Sequence, residues 1–225
     1  PGWKTYWRMP GDSGVPPNFD FTASENVAEA VVLYPAPIRM TDKSGDSIGY
    51  KSSVTFPVRV TPKDKAQPVK LALAFEYGIC RDICIPTEAK LELPLEVAAP
   101  SAVRDAMLAD AMRRVPRPAT ARLPSDPILQ DISGGSQALP PAIAIKTNAE
   151  AVFVEAPDGL FLPQPVMRTP SRHGAPGVLV VDLARAPDLK DMLGKPIRIT
   201  AIGAAGATAP TWTMKQRHPL GLGPL

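Results

Sequence analysis

The sequence predicts an all-β fold with two β-sandwich domains, joined by a short helix and a proline-rich linker. Short segments of alternating apolar and polar residues recur along the chain, as expected of half-buried strands. The chain also contains 28 prolines and 16 glycines, which mark turns and disfavour long helices. With 225 residues it exceeds the common single-domain size, so two domains of about 100 residues each fit the length.

Residues 1–99 are predicted to form the first sandwich. Clusters of Pro, Gly, Asp and Ser separate strand-like segments at 3–8, 18–23, 27–34, 47–60, 69–77 and 89–97. In the segment 69–77, the residues Val, Leu, Leu, Phe and Tyr share one face, as in a strand that lies against a core. This strand leads directly to Cys80.

Residues 100–127 are predicted to comprise a helix over 100–115 and a linker over 116–127. Ser101 is a suitable N-cap, Asp105 lies near the positive end of the helix dipole, and Arg113 and Arg114 lie near its negative end. The apolar positions, which we expect to pack in a core, are Val103, Met107, Leu108, Ala111 and Met112. The linker is too rich in proline for regular structure.

Residues 128–225 are predicted to form a second, smaller β-sandwich without cysteine. Its strand-like segments are 142–146, 151–155, 160–162, 178–183, 197–202 and 208–214. The last residues, 221–225, are typical of a linker.

Charge and hydropathy exclude two function classes. The net charge of +3 arises from 25 basic and 22 acidic residues without a long basic run, which argues against nucleic-acid binding. No segment reaches about 18 consecutive apolar residues, so no membrane-spanning helix is expected. The chain starts at Pro1 without a signal peptide; we expect a processed start, which is compatible with export.

Cys80 and Cys84 are the only cysteines. A continuous strand would hold them roughly 13 Å apart, whereas a disulfide needs Cα atoms within about 7 Å. Either the chain folds back at residues 81–83, or the two thiols remain separate; the turn is the more economical interpretation. Closing so small a ring removes only about 2 kcal/mol of unfolded-state entropy, which favours a redox role over a structural one.

Metal sites explain the pair less well. A binuclear copper site would need a histidine at position 88, where the chain has Glu88. A copper-chaperone motif would need proline directly after Cys84 and a helix, whereas Pro86 is one place late and the following residues alternate as in a strand. A zinc site would need His173 and His218, which are 45 positions apart in loops. We therefore assign no metal.

The residues around the pair suit thiol-disulfide exchange. Arg81 provides positive charge beside Cys80, and Asp82 partly cancels it. Apolar residues that could contact a partner protein are Ile83, Ile85 and Pro86. The alternative for the isoleucines is ordinary loop packing.

The segment 77–90, with sequence YGICRDICIPTEAK, resembles the active-site segment of the amino-terminal periplasmic domains of DsbD-type thiol:disulfide interchange proteins, in particular the ScsB-like branch. The opening segment 2–19 resembles the same branch. The similarity covers roughly residues 1–100.

This resemblance implies an immunoglobulin-like sandwich, and we expect both domains to be of this type. It implies a periplasmic protein-disulfide reductase that receives electrons from a membrane-embedded conduit and passes them to thioredoxin-like partners. Cys80 and Cys84 would be the redox pair, with no further cofactor. A shielding cap is expected at residues 39–47, including Asp42 and Lys43. From its position near the cysteines, Tyr77 is a candidate to line the site, and the alternative for it is packing in the aromatic core. We expect a monomer.

Two alternatives remain from the sequence. One is a non-catalytic binding or adaptor sandwich with a structural Cys80–Cys84 bridge. The other is a copper carrier.

Overall fold

The computed structural model describes residues 2–11, 14–42, 45–95, 101–135, 141–157, 160–171, 176–187, 189–192 and 194–213. The chain divides into two compact units, Pro1–Val115 and Pro116–Leu225. Within the described ranges the regular structure is mainly β-strand, with one α-helix, which confirms the all-β prediction. The helix belongs to the first unit and the proline-rich segment 116–127 to the second.

The first unit contains eight strands and the helix in its described part. They are β1 (Lys4–Gly11), β2 (Asn18–Asp20), β3 (Val27–Val32), β4 (Ile38–Asp42), β5 (Gly45–Lys51), β6 (Val58–Pro62), β7 (Val69–Cys80), β8 (Cys84–Leu95) and α1 (Ala102–Arg113). The predicted strand at 47–60 is therefore wrong as one element. It is divided between β5 and β6, which belong to different sheets.

Strand β7 organises the larger sheet. One of its edges pairs with β8 along the full length of both strands. The other edge pairs with β1 at Cys80 and with β2 at residues 74–76. Strand β1 continues the sheet through β5 to β4, while β3 and β6 form a separate two-stranded sheet.

The two faces of β7 have different surroundings. Odd-numbered residues face an aromatic cluster, in which Phe75 stacks on Phe19 and Tyr77, with centroid distances of 4.4 Å for both pairs. Tyr34 and Phe56, which flank the smaller sheet, complete this core through edge contacts. Even-numbered residues, including Cys80, point to the opposite face because side chains alternate along a strand.

Helix α1 begins where predicted, because the Ser101 hydroxyl accepts a hydrogen bond from the backbone N–H of Arg104. Its predicted core stripe is wrong. Val103, Met107, Leu108 and Met112 are exposed, and among the helix residues only Ala111 is buried. The helix meets the rest of this unit at Ala111 and at its carboxyl end, where the Ala36 N–H donates to the Arg114 carbonyl.

The second unit contains two four-stranded antiparallel sheets in its described part. Their strands are β9 (Leu129–Gly135), β10 (Ala142–Thr147), β11 (Ala151–Glu155), β12 (Val166–Thr169), β13 (Gly177–Asp182), β14 (Pro196–Gly203), β15 (Gly206–Thr208) and β16 (Thr211–Thr213). The sheet orders are β12-β13-β10-β9 and β11-β14-β15, with β16 also on β14. A shared core includes Ile145, Val154, Val181 and Ile199.

The predicted strand at 160–162 is wrong, because this segment is a loop. The Leu160 N–H donates to the Pro157 carbonyl, and prolines follow at 163 and 165. Leu162 is nevertheless buried in the core. The alternation of apolar residues thus reflects burial without strand pairing.

The proline-rich segment 116–127 packs closely within the second unit. Arg117 forms a parallel bridge with Thr208. Its guanidinium also contacts the fully buried carboxylate of Asp126 at 2.6 Å. The second Asp126 oxygen accepts the Leu123 N–H at 2.8 Å, so this carboxylate fixes the segment at both ends.

Candidate redox site

Strands β7 and β8 form a hairpin whose tip contains both cysteines. The register runs without interruption from Val69 opposite Leu95 to Cys80 opposite Cys84. Residues 81–83 make the turn, in which the Arg81 N–H donates to the Ile83 carbonyl at 3.0 Å. Cys80 and Cys84 form a disulfide, with Cα atoms 4.1 Å apart. The predicted turn is confirmed.

The register places the cysteines where opposed side chains approach most closely. Pro86 lies opposite Gly78 and Pro94 opposite Lys70. Proline has no N–H to donate, so these positions of β8 suit the non-hydrogen-bonded pairs of the ladder. Cys84 has the same parity as both prolines and therefore falls in the same kind of pair. The strand sequence itself thus brings the two sulfurs together.

The two cysteines differ in exposure. Cys80 is only 1% exposed and lies beside the start of β1, where it pairs with Lys4. Cys84 is exposed, as are Arg81, Asp82 and Ile83 of the turn. An approaching protein can therefore reach Cys84, while Cys80 is enclosed by its own fold.

Tyr6 contacts both sulfurs. Its hydroxyl donates a hydrogen bond to Cys80 Sγ at 2.9 Å and lies 3.4 Å from Cys84 Sγ. The side chain is 2% exposed, and its ring packs close to Gly14 and Gly78. Sequence reasoning missed Tyr6. The predicted strand at 3–8 included it, but no local signal connects it with a cysteine 74 residues away.

Two oppositely charged residues of the turn, Arg81 and Asp82, directly follow the buried Cys80 in the chain. Arg81 Nε binds Asp82 Oδ2 at 2.9 Å, and both side chains are largely exposed. The Arg81 guanidinium also lies 5.6 Å from the centre of the Trp3 ring. Trp3 therefore holds the turn from one side, a contact the sequence did not predict.

The predicted partner-contacting residues divide into two groups. Ile83, Ile85 and Pro86 are exposed around the disulfide, where a docking protein could contact them. Tyr77 stacks in the aromatic core on the face opposite the sulfurs. Tyr77 also lines an open groove together with Pro86 and Glu88, so its predicted contact with a partner stays a prediction.

The predicted cap lies in the β4–β5 hairpin. Asp42 ends β4, which β5 and β1 separate from β7 in the sheet. Lys43 lies outside the described residues, as do His173 and His218, the histidines considered for metal binding. The predicted shielding of the disulfide by Asp42 and Lys43 stays a prediction.

The described part of the chain contains no group of three or more His, Cys, Asp or Glu side chains arranged to hold a metal ion. Among the described helices, none has the length and apolar character needed to cross a membrane.

Residues 1–96 match the family model described as "Thiol:disulfide interchange protein DsbD, N-terminal". The amino-terminal part of this chain is similar to the amino-terminal domain of DsbD. The match ends just after β8, so it contains the whole cysteine hairpin and the strand that bears Tyr6. The family resemblance expected from the sequence is confirmed for this part.

The fold extends the comparison to almost the full chain. The crystal structure of the N-terminal periplasmic domain of ScsB from Proteus mirabilis matches with a TM-score of 0.72 and 23% sequence identity. The alignment covers 96% of this chain and 84% of that domain. No curated protein sequence matches significantly. At this identity the structural match establishes a shared fold, which includes the second unit.

Proposed function

We propose that the chain is a periplasmic protein-disulfide reductase module that accepts electrons from a membrane-embedded conduit and passes them to thioredoxin-like partners. The single observation that carries this proposal is the disulfide at an exposed hairpin tip, with Cys84 accessible and Cys80 buried. The DsbD match over the same residues supports the reaction class. The cellular compartment and the partners follow from the family and are part of the proposal.

Reduction of the module begins at Cys84. A thiolate of the electron donor attacks Cys84 Sγ, the bond to Cys80 breaks, and Cys80 leaves with the electron pair. A second donor thiolate then attacks the donor sulfur of the mixed disulfide and releases Cys84. The donor ends as a disulfide and the module as a dithiol, so two electrons have been transferred.

Delivery to the partner reverses these steps. The Cys84 thiolate attacks one sulfur of a partner disulfide, and the other partner sulfur leaves as a thiolate. Cys80 then attacks Cys84 Sγ and restores the internal disulfide, releasing the reduced partner. Because both thiols belong to one hairpin, this second attack is intramolecular and fast relative to attack by a third molecule.

Tyr6 assists whichever step makes Cys80 the leaving group. Its hydroxyl already donates to Cys80 Sγ in the oxidised state. A hydrogen bond strengthens when its acceptor becomes charged, so the same donor favours the departing thiolate. The module needs no cofactor beyond the cysteine pair, and it acts as a monomer in this scheme.

Trapping of the mixed disulfide tests the proposal. The Cys80→Ser variant keeps the exposed Cys84 thiol but cannot resolve the intermediate, so it should accumulate a covalent adduct with an oxidised thioredoxin-like protein. Cys84→Ser, which keeps only the buried thiol, is the matched control and should trap little. Equal trapping by both variants, or by neither, contradicts the proposal; mass spectrometry of the adduct identifies the bonded cysteine.

A further inference from the structure

An open groove of about 440 Å³ runs along the cysteine hairpin. Val15 and Pro16 form one wall, and Pro86 with Glu88 of β8 contributes to the other. Pro86 follows Cys84 by two residues and therefore lies on the same face of β8, roughly 7 Å further along the strand. The Pro86 end of the groove thus lies two residues along the same strand from the accessible Cys84.

Two acidic residues on adjacent strands line this groove. Glu76 of β7 and Glu88 of β8 are directly opposed in the ladder, and both line the groove. Like charges in this position destabilise a sheet, above all at a non-hydrogen-bonded pair, where side chains are closest.

The local partners of the two carboxylates compensate only weakly. Asn18 Nδ2 donates to Glu76 at 3.3 Å, and Lys90 Nζ lies 3.3 Å from Glu88. Both side chains of the Lys90–Glu88 pair are exposed, so the pair contributes little to stability. Another cation can therefore replace Lys90 beside Glu88. The two glutamates therefore give the groove a net negative charge, although the whole chain has a net charge of +3.

We propose that this groove binds a basic, partly apolar segment of the exchange partner, located next to the partner's reacting cysteine. A lysine or arginine would lie between Glu76 and Glu88, while an apolar neighbour would contact Val15 and Pro86. This inference rests on the proposed function, because it takes the exposed Cys84 to be the reacting sulfur. It adds the chemical character of the partner segment, which follows from charge complementarity with Glu76 and Glu88.

The same arrangement predicts how charge affects the reaction. A cation bound between the two carboxylates brings the partner's sulfur toward Cys84 and raises the encounter rate. The attraction acts between exposed groups and is therefore screened by salt. A partner with acidic residues in this position is repelled by the same pair.

Two synthetic peptides test the inference. Each has one cysteine, activated as a mixed disulfide with thionitrobenzoate, and either two lysines or two glutamates beside it. Cys84 of the reduced protein attacks the peptide sulfur and releases thionitrobenzoate; Cys80 then releases the peptide thiol, leaving the protein disulfide. The release rate is measured by absorbance, and the rate with 2-mercaptoethanol serves to correct for the intrinsic reactivity of each peptide.

We expect the lysine peptide to react about fivefold faster than the glutamate peptide at about 0.01 M salt, and the preference to vanish near 1 M. The double variant Glu76→Gln and Glu88→Gln should abolish the preference without loss of stability, since it removes a repulsion. Glu92→Gln is the matched control, because it removes a carboxylate on the same face of β8 outside the groove.

The outcomes separate this inference from the proposed function. Equal rates with both peptides, or a preference that survives in the double variant, would overturn the groove assignment while leaving the exchange reaction intact. A reduced wild-type protein that releases no more thionitrobenzoate than the Cys84→Ser variant would overturn the proposed function itself.

Discussion

The Tyr6 hydroxyl donates a hydrogen bond to Cys80 Sγ across 2.9 Å, from the interior of the first unit. Tyr6 and Cys80 are both almost completely buried. A buried hydroxyl normally needs a partner, and here that partner is a sulfur which accepts negative charge in the proposed exchange. The fold thus provides a fixed donor at the sulfur that leaves in that proposal.

Tyr6→Phe should slow reduction of the disulfide by about tenfold, because it removes one hydrogen bond to a sulfur that becomes charged. Rapid-mixing kinetics with a dithiol donor measures this rate. Tyr77→Phe is the matched control, since Tyr77 stacks on Phe75 on the opposite face, and it should leave the rate unchanged. Similar rates for wild type and Tyr6→Phe would remove the tyrosine from the mechanism.

Gly14 and Gly78 both adjoin the Tyr6 ring but tolerate a methyl group differently. A Cβ at Gly14 would lie 2.5 Å from two ring atoms, whereas the nearest atom at Gly78 is 3.6 Å away. We expect Gly14→Ala to cost about 1–3 kcal/mol of unfolding free energy through overpacking. Gly78→Ala should cost much less. Urea unfolding compares the two variants, and equal midpoints would contradict the prediction.

Asp126→Asn should destabilise the second unit by about 3 kcal/mol, because it leaves Arg117 without its buried counter-charge. This loss is at the low end of the range for broken buried ion pairs, because 24% of the Arg117 side chain is exposed to solvent. Hydrogen exchange along β14 and β15 measures the effect. Asp110→Asn, which breaks exposed pairs on helix α1, is the control and should change stability by less than about 1 kcal/mol.

Burial in the aromatic cluster raises the pKa of Tyr34 above its usual value of 10.0, although nearby Arg8 opposes the shift. A raised pKa means that the unfolded chain ionises first as the pH increases. This stabilising contribution is present below about pH 10 and is lost as the pH rises through the folded-state pKa. As the pH rises above about 10, the Tyr34→Phe variant should lose less stability than wild type in urea unfolding, and identical pH profiles would contradict this.

Local sequence patterns predicted much of the fold. The alternation before Cys80 predicted β7, and Ser101 predicted the start of α1, because both signals depend on neighbouring residues. The stripe on α1 was misassigned because helical spacing shows which residues share a face, without showing which face is covered. Strands β4, β9 and β12 were not predicted at all.

For the site, the sequence predicted only the features that depend on residues close together in the chain. The Cys80–Cys84 spacing and the small ring it implies pointed to a turn, and the turn is present. Tyr6 and Trp3 reach the hairpin through pairing of β1 with β7, which depends on register between distant segments. The opposition of Glu76 and Glu88 depends likewise on the register of the hairpin, which the sequence alone did not specify.

The reduction potential of the Cys80–Cys84 pair tests the proposed exchange function most directly. The protein is equilibrated in glutathione buffers, free thiols are alkylated, and the fraction reduced is read by mass. We predict a value between about −150 and −280 mV, the range of exchange proteins. A value below about −300 mV would mark a structural disulfide, contradict the exchange function and favour a non-catalytic binding domain.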